Sequence, residues 1–216
     1  MFIYNPPKDE LKYLYYDNHI AVVEKPSGLL SVSGRLDIHY DSCHTRVRQK
    51  FNYAEPAHRL DMATSGILIF SLSKLADREL KKQFREKTIQ KKYEALVWSH
   101  PEKNSGVINL PLICDWENRP KQEVSYIYGK KSITEYKIIE KYKNNIARVE
   151  LTPITGRTHQ LRLHMQAIGN PILGDRIYSH KAAYNLRNRL CLHSKYIEFN
   201  HPLTHERLSF YSKPNF

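Results

Sequence analysis

The chain has 216 residues, of which 41% are hydrophobic and 26% are charged. These proportions are those of an ordinary globular protein and exclude a disordered tail, a coiled coil and a collagen-like chain. Lys and Arg number 34 against 22 Asp and Glu, which gives a net charge of +12 at pH 7. Such an excess favours a polyanionic partner, with nucleic acid the first to consider. A basic protein without a polyanionic ligand is the alternative at this point.

The sequence contains neither a membrane span nor a recognisable export signal. No stretch approaches the roughly 20 apolar residues that cross a bilayer, and the first ten residues lack a basic region that leads into an apolar run. The three cysteines, Cys43, Cys114 and Cys191, are odd in number and far apart. We therefore expect reduced thiols in a soluble, cytoplasmic protein, and neither a disulfide framework nor a zinc site.

Most of the predicted elements are strands. An apolar run closes at Pro26, and a second, more apolar run after Ser65 is typical of a central strand. The later strands alternate with a period near two, so each is expected to bury one face. The predicted strands cover 19–26, 66–73, 91–98, 123–128, 132–140, 147–154 and 191–199.

Two helices are predicted in the first half of the chain, over 41–51 and 74–87. The second has Ser73 as its N-cap and carries Ala76, Leu80 and Phe84 on one stripe. Its other faces are basic, which indicates either a solvated face or a phosphate-binding face. The basic residues are Lys74, Arg78, Lys81, Lys82, Arg85 and Lys87.

A third helix is predicted after the sequence TGR, with Thr158 as its N-cap and Gly169 as its stop. Leu161, Met165 and Ile168 would then point inward. Strands that mostly follow one another, with few helices between them, indicate an α+β protein with a largely antiparallel sheet.

The segment HRLDMATSG (58–66) combines many polar groups with the entrance to the most apolar strand. A carboxylate at this place, Asp61, can meet a ligand while the strand holds its main chain. The alternative is a turn in which Asp61 and Thr64 satisfy nearby backbone groups.

The segment TGRTHQLRLH (155–164) leads into the third helix. Its first N–H groups and Arg157 could hold a phosphate, and Arg162 could reach inward to a carboxylate. His159 and His164 are five residues apart, which does not place them on one helix face, so no metal site is predicted. Tyr93 lies in the strand 91–98. From its position alone it could be an ordinary half-buried tyrosine of a strand.

Taken together, these segments resemble the RluA family of pseudouridine synthases. The resemblance extends over roughly residues 20–205. Its segments are KPSG (25–28), HRLDMATSG (58–66), KKYEALV (91–97), GRTHQLRLH (156–164), NPILGD (170–175), LH (192–193) and FNHP (199–202). The segment 110–122 is similar to members that modify both 23S rRNA and tRNA.

The resemblance implies a pseudouridine synthase fold, with a mixed, mostly antiparallel β-sheet, flanking helices and a central catalytic cleft. It implies an N-terminal extension over 1–18, too short for an S4 RNA-binding domain, and a catalytic domain over 19–216. The partner is then RNA, in tRNA and 23S rRNA stem-loops, and not DNA or a membrane, and the protein is expected to be a monomer. The isomerisation involves no redox change, so neither a cofactor nor a metal is expected.

The resemblance also assigns three catalytic residues. Asp61 would act at C1′ of the target ribose, either by covalent addition or by promoting elimination to a glycal. Arg162 would pair with this carboxylate and keep it charged, because burial without a nearby cation disfavours the ionised form. Tyr93 would stack on the target base and assist removal of its C5 proton.

The target uridine has to leave its stack, at a cost of a few kcal/mol, and Arg59 corresponds to the residue that fills the resulting gap. His58 and Thr64 are expected to shape the loop beside the RNA. Charge density adds phosphate contacts from Arg46, Arg157 and the basic helix, namely Lys74, Arg78, Lys81, Lys82 and Arg85.

Three alternatives stay open. The chain could modify only tRNA or only rRNA, or it could be a noncatalytic RNA-binding protein on the same scaffold. A ribonuclease is the third, although the HRLD segment offers neither a carboxylate cluster for magnesium nor a pair of histidines.

Overall fold

The computed structural model describes residues 4–216, which divide into two compact units. The first unit consists of residues 4–91 with Ser194–Asn215, and the second of Lys92–His193 with Phe216. The strands are β1 (Lys12–Tyr16), β2 (Ile20–Lys25), β3 (Glu55–Pro56), β4 (Ser65–Ser71), β5 (Gln90–Trp98), β6 (Ser105–Asn109), β7 (Leu112–Cys114), β8 (Gln122–Val124), β9 (Ile133–Tyr142), β10 (Ile146–Pro153), β11 (Leu192–Asn200) and β12 (Arg207–Tyr211). The helices are α1 (Cys43–Lys50), α2 (Lys74–Glu86), α3 (Gln160–Ala167) and α4 (Lys181–Asn185).

The first unit is organised around β4, in which all seven residues are buried. β4 pairs with β2 and β3, β2 pairs with β1, and β11 pairs with β12, each pair being antiparallel. Gly66, the second residue of β4, has φ of +113°, and a Cβ there would lie 2.3 Å from the carbonyl oxygen of Ser194. Only glycine therefore allows β4 to approach that backbone so closely. The core consists of Ile20, Val22, Ile67, Ile69, Leu80, Ile89, Ile197 and Phe199.

The second unit contains four antiparallel strands in the order β5-β10-β9-β6, and of the neighbouring pairs only β9 and β10 are consecutive in the chain. β5 pairs with β10, β10 with β9, and β9 with β6. β7 and β8 form a separate two-stranded hairpin. This hairpin packs on α3 and the loop after it, because Leu112, Leu163 and Tyr178 form one buried cluster.

The structure confirms the α+β class, the mostly antiparallel pairing and the three predicted helices. Ser73 is the N-cap of α2, accepting a hydrogen bond from the backbone N–H of Ala76 at 3.2 Å. Ala76 and Leu80 are fully buried, as the predicted stripe requires, and Phe84 packs against the same core.

Four details of the prediction are wrong. The N-cap of α3 is His159, not Thr158, and Ile168 is 37% exposed rather than inward. The predicted strand 123–128 ends at Val124, because Tyr126, Ile127 and Tyr128 form a turn with their side chains exposed. β5 does not alternate, since five successive residues, 93–97, are buried.

Part of the predicted N-terminal extension is strand β1, and Met1, Phe2 and Ile3 lie outside the described residues. Over residues 4–216, no helix has the length and apolar character that a membrane span requires. Cys43, Cys114 and Cys191 are all free thiols.

Candidate active site

Asp61 lies in a tight loop immediately before β4, as the sequence predicts. The backbone N–H of Thr64 donates to the carbonyl of Asp61 at 3.1 Å and closes the turn. Thr64 is only 2% exposed, whereas Asp61 is half-buried. The loop thus ends at the buried start of β4, and the turn bond constrains the main chain at position 61.

Lys25, a fully buried lysine, contacts this loop from the interior of the unit. Its Nζ donates to the carbonyls of Pro26 at 2.9 Å, Leu29 at 2.7 Å and Met62 at 3.0 Å. The backbone N–H of Gly28 donates to the same Met62 oxygen at 2.9 Å. A buried ammonium is stable only when its donors are satisfied, so Lys25 ties the chain after β2 to the residue that follows Asp61.

Two serines complete this support. The hydroxyl of Ser31 donates to the carbonyl of Leu60 at 2.7 Å and accepts from the N–H of the same residue at 3.0 Å. The hydroxyl of Ser27 donates to the carbonyl of Ala63 at 2.6 Å. Leu60, Met62 and Ala63 are therefore all held by residues 25–31, a set of contacts that we call the loop support.

His58 has a structural environment. Its Nε2 accepts a hydrogen bond from the backbone N–H of Ile69 at 3.3 Å, and its ring lies 5.0 Å from the ring of Phe84. Burial, and secondly the positive charge of Lys91, lower the pKa of His58 to about 3. The imidazole is therefore neutral at physiological pH, and its role beside the RNA stays a prediction.

Arg59 is exposed, as a residue that contacts RNA has to be.

The basic residues of α2 are exposed as well. Lys81 is bound to Asp77 at 2.7 Å, and Arg78 to Glu79 at 3.2 Å. Because Asp77 and Glu79 screen two of these charges, Lys74, Lys82 and Arg85 are the stronger candidates for phosphate contacts on this helix.

Arg46 is already engaged within its unit. Its Nε and Nη2 donate to the two carboxylate oxygens of Asp41, at 2.8 and 2.7 Å, and its Nη1 donates to the carbonyl of Asp9 at 2.8 Å. Contact with a phosphate would have to compete with these bonds, so Arg46 is a weaker candidate for a phosphate contact than charge density alone predicts.

Tyr93 and Arg162 belong to the second unit. Tyr93 is in β5, opposite Leu151 of β10, and is 9% exposed. Arg162 is in α3 and 4% exposed, and its Nε and Nη2 donate to the carboxylate of Asp175, both at 2.8 Å. The convergence of these residues with Asp61 in one cleft stays a prediction.

Arg157 precedes α3 and is exposed. Its backbone N–H donates to Oε1 of Gln160 at 3.1 Å, and its Nε donates to the carbonyl of Lys131 at 3.4 Å. The backbone N–H of Arg157 is therefore occupied by a glutamine side chain, so a phosphate contact at this residue would have to come from its guanidinium.

Lys25, Ser27 and Asp175 lie in segments that resemble the family, but the sequence predicts no role for them, and it does not point to Ser31 at all. A lysine directly after an apolar strand was the available signal for Lys25, since a buried lysine is rare without partners. The hydroxyl of Ser31 offered no such signal, because its partner is the backbone of a residue 29 positions away.

Known proteins resemble this chain over nearly its whole length. The sequence profile of the family described as RNA pseudouridylate synthase matches residues 19–167. The chain is 55% identical over 214 residues to the dual-specificity RNA pseudouridine synthase RluA of Haemophilus influenzae, covering 99% of this chain and 98% of that protein. It is 52% identical over 214 residues to the Escherichia coli protein of the same name, with the same coverage of both chains.

A solved structure resembles the chain as well. Human RNA Pseudouridylate Synthase Domain Containing 1 superposes with a TM-score of 0.81 at 27% identity, covering 98% of this chain and 87% of that one. Fold, family profile and full-length similarity thus agree with the resemblance noted in the sequence. The chain belongs to the RNA pseudouridylate synthase family and is an RNA pseudouridine synthase, an isomerase that acts on RNA.

Proposed function

We propose that this enzyme isomerises specific uridines in two kinds of RNA, the anticodon stem-loop of tRNA and a hairpin of 23S rRNA. The observation that carries the proposal is the full-length similarity to synthases named as dual-specificity, at 55% and 52% identity. The segment 110–122, which resembles members with both substrates, supports the same conclusion. We further propose a monomer that acts in the cytoplasm, where both RNAs are found, with residues 19–216 as its catalytic domain.

In the proposed mechanism, Asp61 acts at C1′ of the target ribose. The reaction breaks the bond between N1 of uracil and C1′, turns the base and joins C1′ to C5. The C5 proton leaves and N1 gains one, so the product is an isomer of the substrate. The loop support favours this role, because a carboxylate on a main chain fixed at Leu60, Met62 and Ala63 needs little reorganisation in the transition state. Covalent addition and elimination to a glycal both use Asp61 in this position.

Arg162 is proposed as the cation that keeps Asp61 ionised, and Tyr93 as the stacking group that assists removal of the C5 proton. The near-complete burial of both side chains supports these roles, because charge and orientation have their largest effect away from water.

The RNA contacts are proposed for exposed residues. Arg59 fills the gap left by the everted uridine, and Arg157 with Lys74, Lys82 and Arg85 contacts phosphates. His58 and Thr64 hold the shape of the loop. A loop uridine is the preferred target because its base is already partly unstacked.

The test is an in vitro reaction with each of the two stem-loops, labelled with tritium at C5 of uridine. Release of tritium, with the RNA chain left intact, is the expected result for both substrates. Asp61→Asn should abolish release while its affinity for RNA stays within a few-fold of wild type. Release from only one stem-loop would show single specificity, strand scission would show a ribonuclease, and binding without either would show a noncatalytic protein. Tritium release by Asp61→Asn at a comparable rate would remove Asp61 from the mechanism.

A further inference from the structure

Arg162 is held by one carboxylate in a two-point contact. Asp175 is 1% exposed and receives Nε of Arg162 on Oδ2 and Nη2 on Oδ1, both at 2.8 Å. Two parallel bonds fix the plane of the guanidinium as well as its place. The orientation of Arg162 therefore depends on how firmly Asp175 is held.

Asp175 is itself fixed by the turn around it. Its Oδ1 also accepts the backbone N–H groups of Ile177 at 2.9 Å and Tyr178 at 3.2 Å, and its carbonyl accepts the hydroxyl of Ser179 at 2.6 Å. The preceding Gly174 has φ of +70°, and a Cβ there would lie 1.9 Å from the carbonyl oxygen of Arg189. The close approach at Gly174 constrains the backbone of this turn, and the side chain of Asp175 cannot rotate away without losing its hydrogen bonds to Ile177 and Tyr178.

Tyr178 gives Arg162 a second support. Its ring lies 5.2 Å from the guanidinium carbon of Arg162, at the distance of a cation–π contact. Its hydroxyl accepts the backbone N–H of Gln122 at 2.8 Å and lies 2.8 Å from Nδ1 of His159. The ring is thus anchored both to β8 and to the residue that precedes α3.

We propose that Asp175 is a positioning residue for Arg162, with Tyr178 as its auxiliary, so that the guanidinium is oriented before RNA binds. The inference rests on the proposed role of Arg162 in the reaction. A pre-oriented charge lowers the barrier because the protein does not have to rearrange during the chemical step. Asp175 would act only through Arg162 and would not touch the RNA.

The kinetic test uses Asp175→Asn, which keeps the shape of the side chain but replaces one acceptor oxygen by an NH2 group facing an arginine N–H. We expect kcat on the anticodon stem-loop to fall at least tenfold, with KM within twofold of wild type. In an Arg162→Lys background the same change should alter kcat by less than twofold, because the two-point contact is already lost. An equal fall in both backgrounds would overturn the proposal.

Asp17→Asn is the matched control for destabilisation. Asp17 likewise accepts two backbone N–H groups on Oδ1, from His19 at 2.7 Å and Ile20 at 2.8 Å, and it contacts a histidine ring nitrogen through Oδ2. We expect Asp17→Asn to lower the melting temperature while kcat stays within twofold of wild type. An equal fall in kcat for the two variants would mean that Asp175 acts through stability alone.

A spectroscopic readout separates this inference from the proposed function. In the wild-type enzyme, the Nε–H of Arg162 should give a slowly exchanging NMR signal, which Tyr178→Phe weakens and Asp175→Asn abolishes. Its persistence in Asp175→Asn would overturn the positioning role, whatever the kinetics. Its loss, together with full activity of Arg162→Lys, would instead leave the positioning intact and refute the role of Arg162 in the reaction.

Discussion

Ser31→Ala is expected to damage both stability and catalysis, because one hydroxyl satisfies two backbone groups of the residue before Asp61. Leu60 is only 7% exposed, and its N–H and carbonyl would lose the bonds of 3.0 and 2.7 Å to Ser31. Each buried backbone group left unsatisfied costs about 1–3 kcal/mol, so we expect a loss of about 3 kcal/mol. For a chain of this size that corresponds to a fall of about 6–12 °C in melting temperature.

The catalytic effect follows from the same contact. A factor of ten in rate corresponds to about 1.4 kcal/mol of activation free energy. If displacement of Asp61 raises the activation free energy by half of the lost stabilisation, kcat falls about tenfold. Thermal unfolding and tritium release from C5-labelled stem-loop RNA measure the two effects separately.

Ser71→Ala is the control for this experiment. Ser71 is equally buried, and its hydroxyl lies 3.1 Å from the carbonyl of Glu55 and 3.3 Å from Oδ1 of Asp77, at the far end of β4. We expect it to lower the melting temperature with kcat within twofold of wild type. If Ser31→Ala loses stability but keeps its kcat, the loop support does not position Asp61.

Four further outcomes are expected. Tyr93→Phe should abolish tritium release if the hydroxyl takes part in removing the C5 proton, and retained activity would leave only packing as its role. Arg59→Ala should weaken binding of the stem-loop by at least tenfold with an unchanged melting temperature, and equal affinity would contradict its place beside the flipped base. Lys82→Gln should reduce the slope of log affinity against log salt by about 0.7–0.9, the contribution of one phosphate contact, and an unchanged slope would show that Lys82 does not contact the RNA. Because the pKa of His58 is about 3 in the folded protein, against an ordinary 6.5, the unfolded chain binds the proton more readily below pH 6.5. Stability should therefore fall by roughly 1.4 kcal/mol per pH unit as the pH drops from 6.5 to about 3, where the folded imidazole also becomes protonated. Urea unfolding should show this component missing in His58→Gln.

The parts of the fold that could be predicted are those with local causes. Ser73 caps α2 through a hydrogen bond three residues ahead, and Ala76 and Leu80 recur at helical spacing, so both features can be read directly from the sequence. Asp61 was likewise found from its neighbours, because a dense polar segment meets an apolar strand at that point.

The errors arose where distant contacts decide the conformation. The start of α3 moved to His159 because the side chain of Gln160 reaches back to the N–H of Arg157, and because His159 contacts Tyr178, 19 residues later. The strand predicted over 123–128 ends early, because Val124 pairs with Leu112 while the next residues turn.

The burial of Lys25 illustrates the remaining limit. Lysine side chains are usually found at the surface. Two of the three carbonyls that accept from Lys25 belong to nearby residues, Pro26 and Leu29. The third belongs to Met62, 37 residues away, so its role becomes visible only once the strands are in register.

The loop support has a practical consequence for trapping the enzyme on its substrate. Since the main chain on both sides of position 61 is held by residues 25–31, we expect the backbone to keep its course whichever side chain stands there. Asp61→Cys would then place a thiol at the site of attack. An RNA that carries an activated disulfide tether on its target nucleotide could be captured there by thiol–disulfide exchange, which forms the mixed disulfide and releases the tether's leaving thiol. The isolated adduct would offer a stalled complex for crystallography.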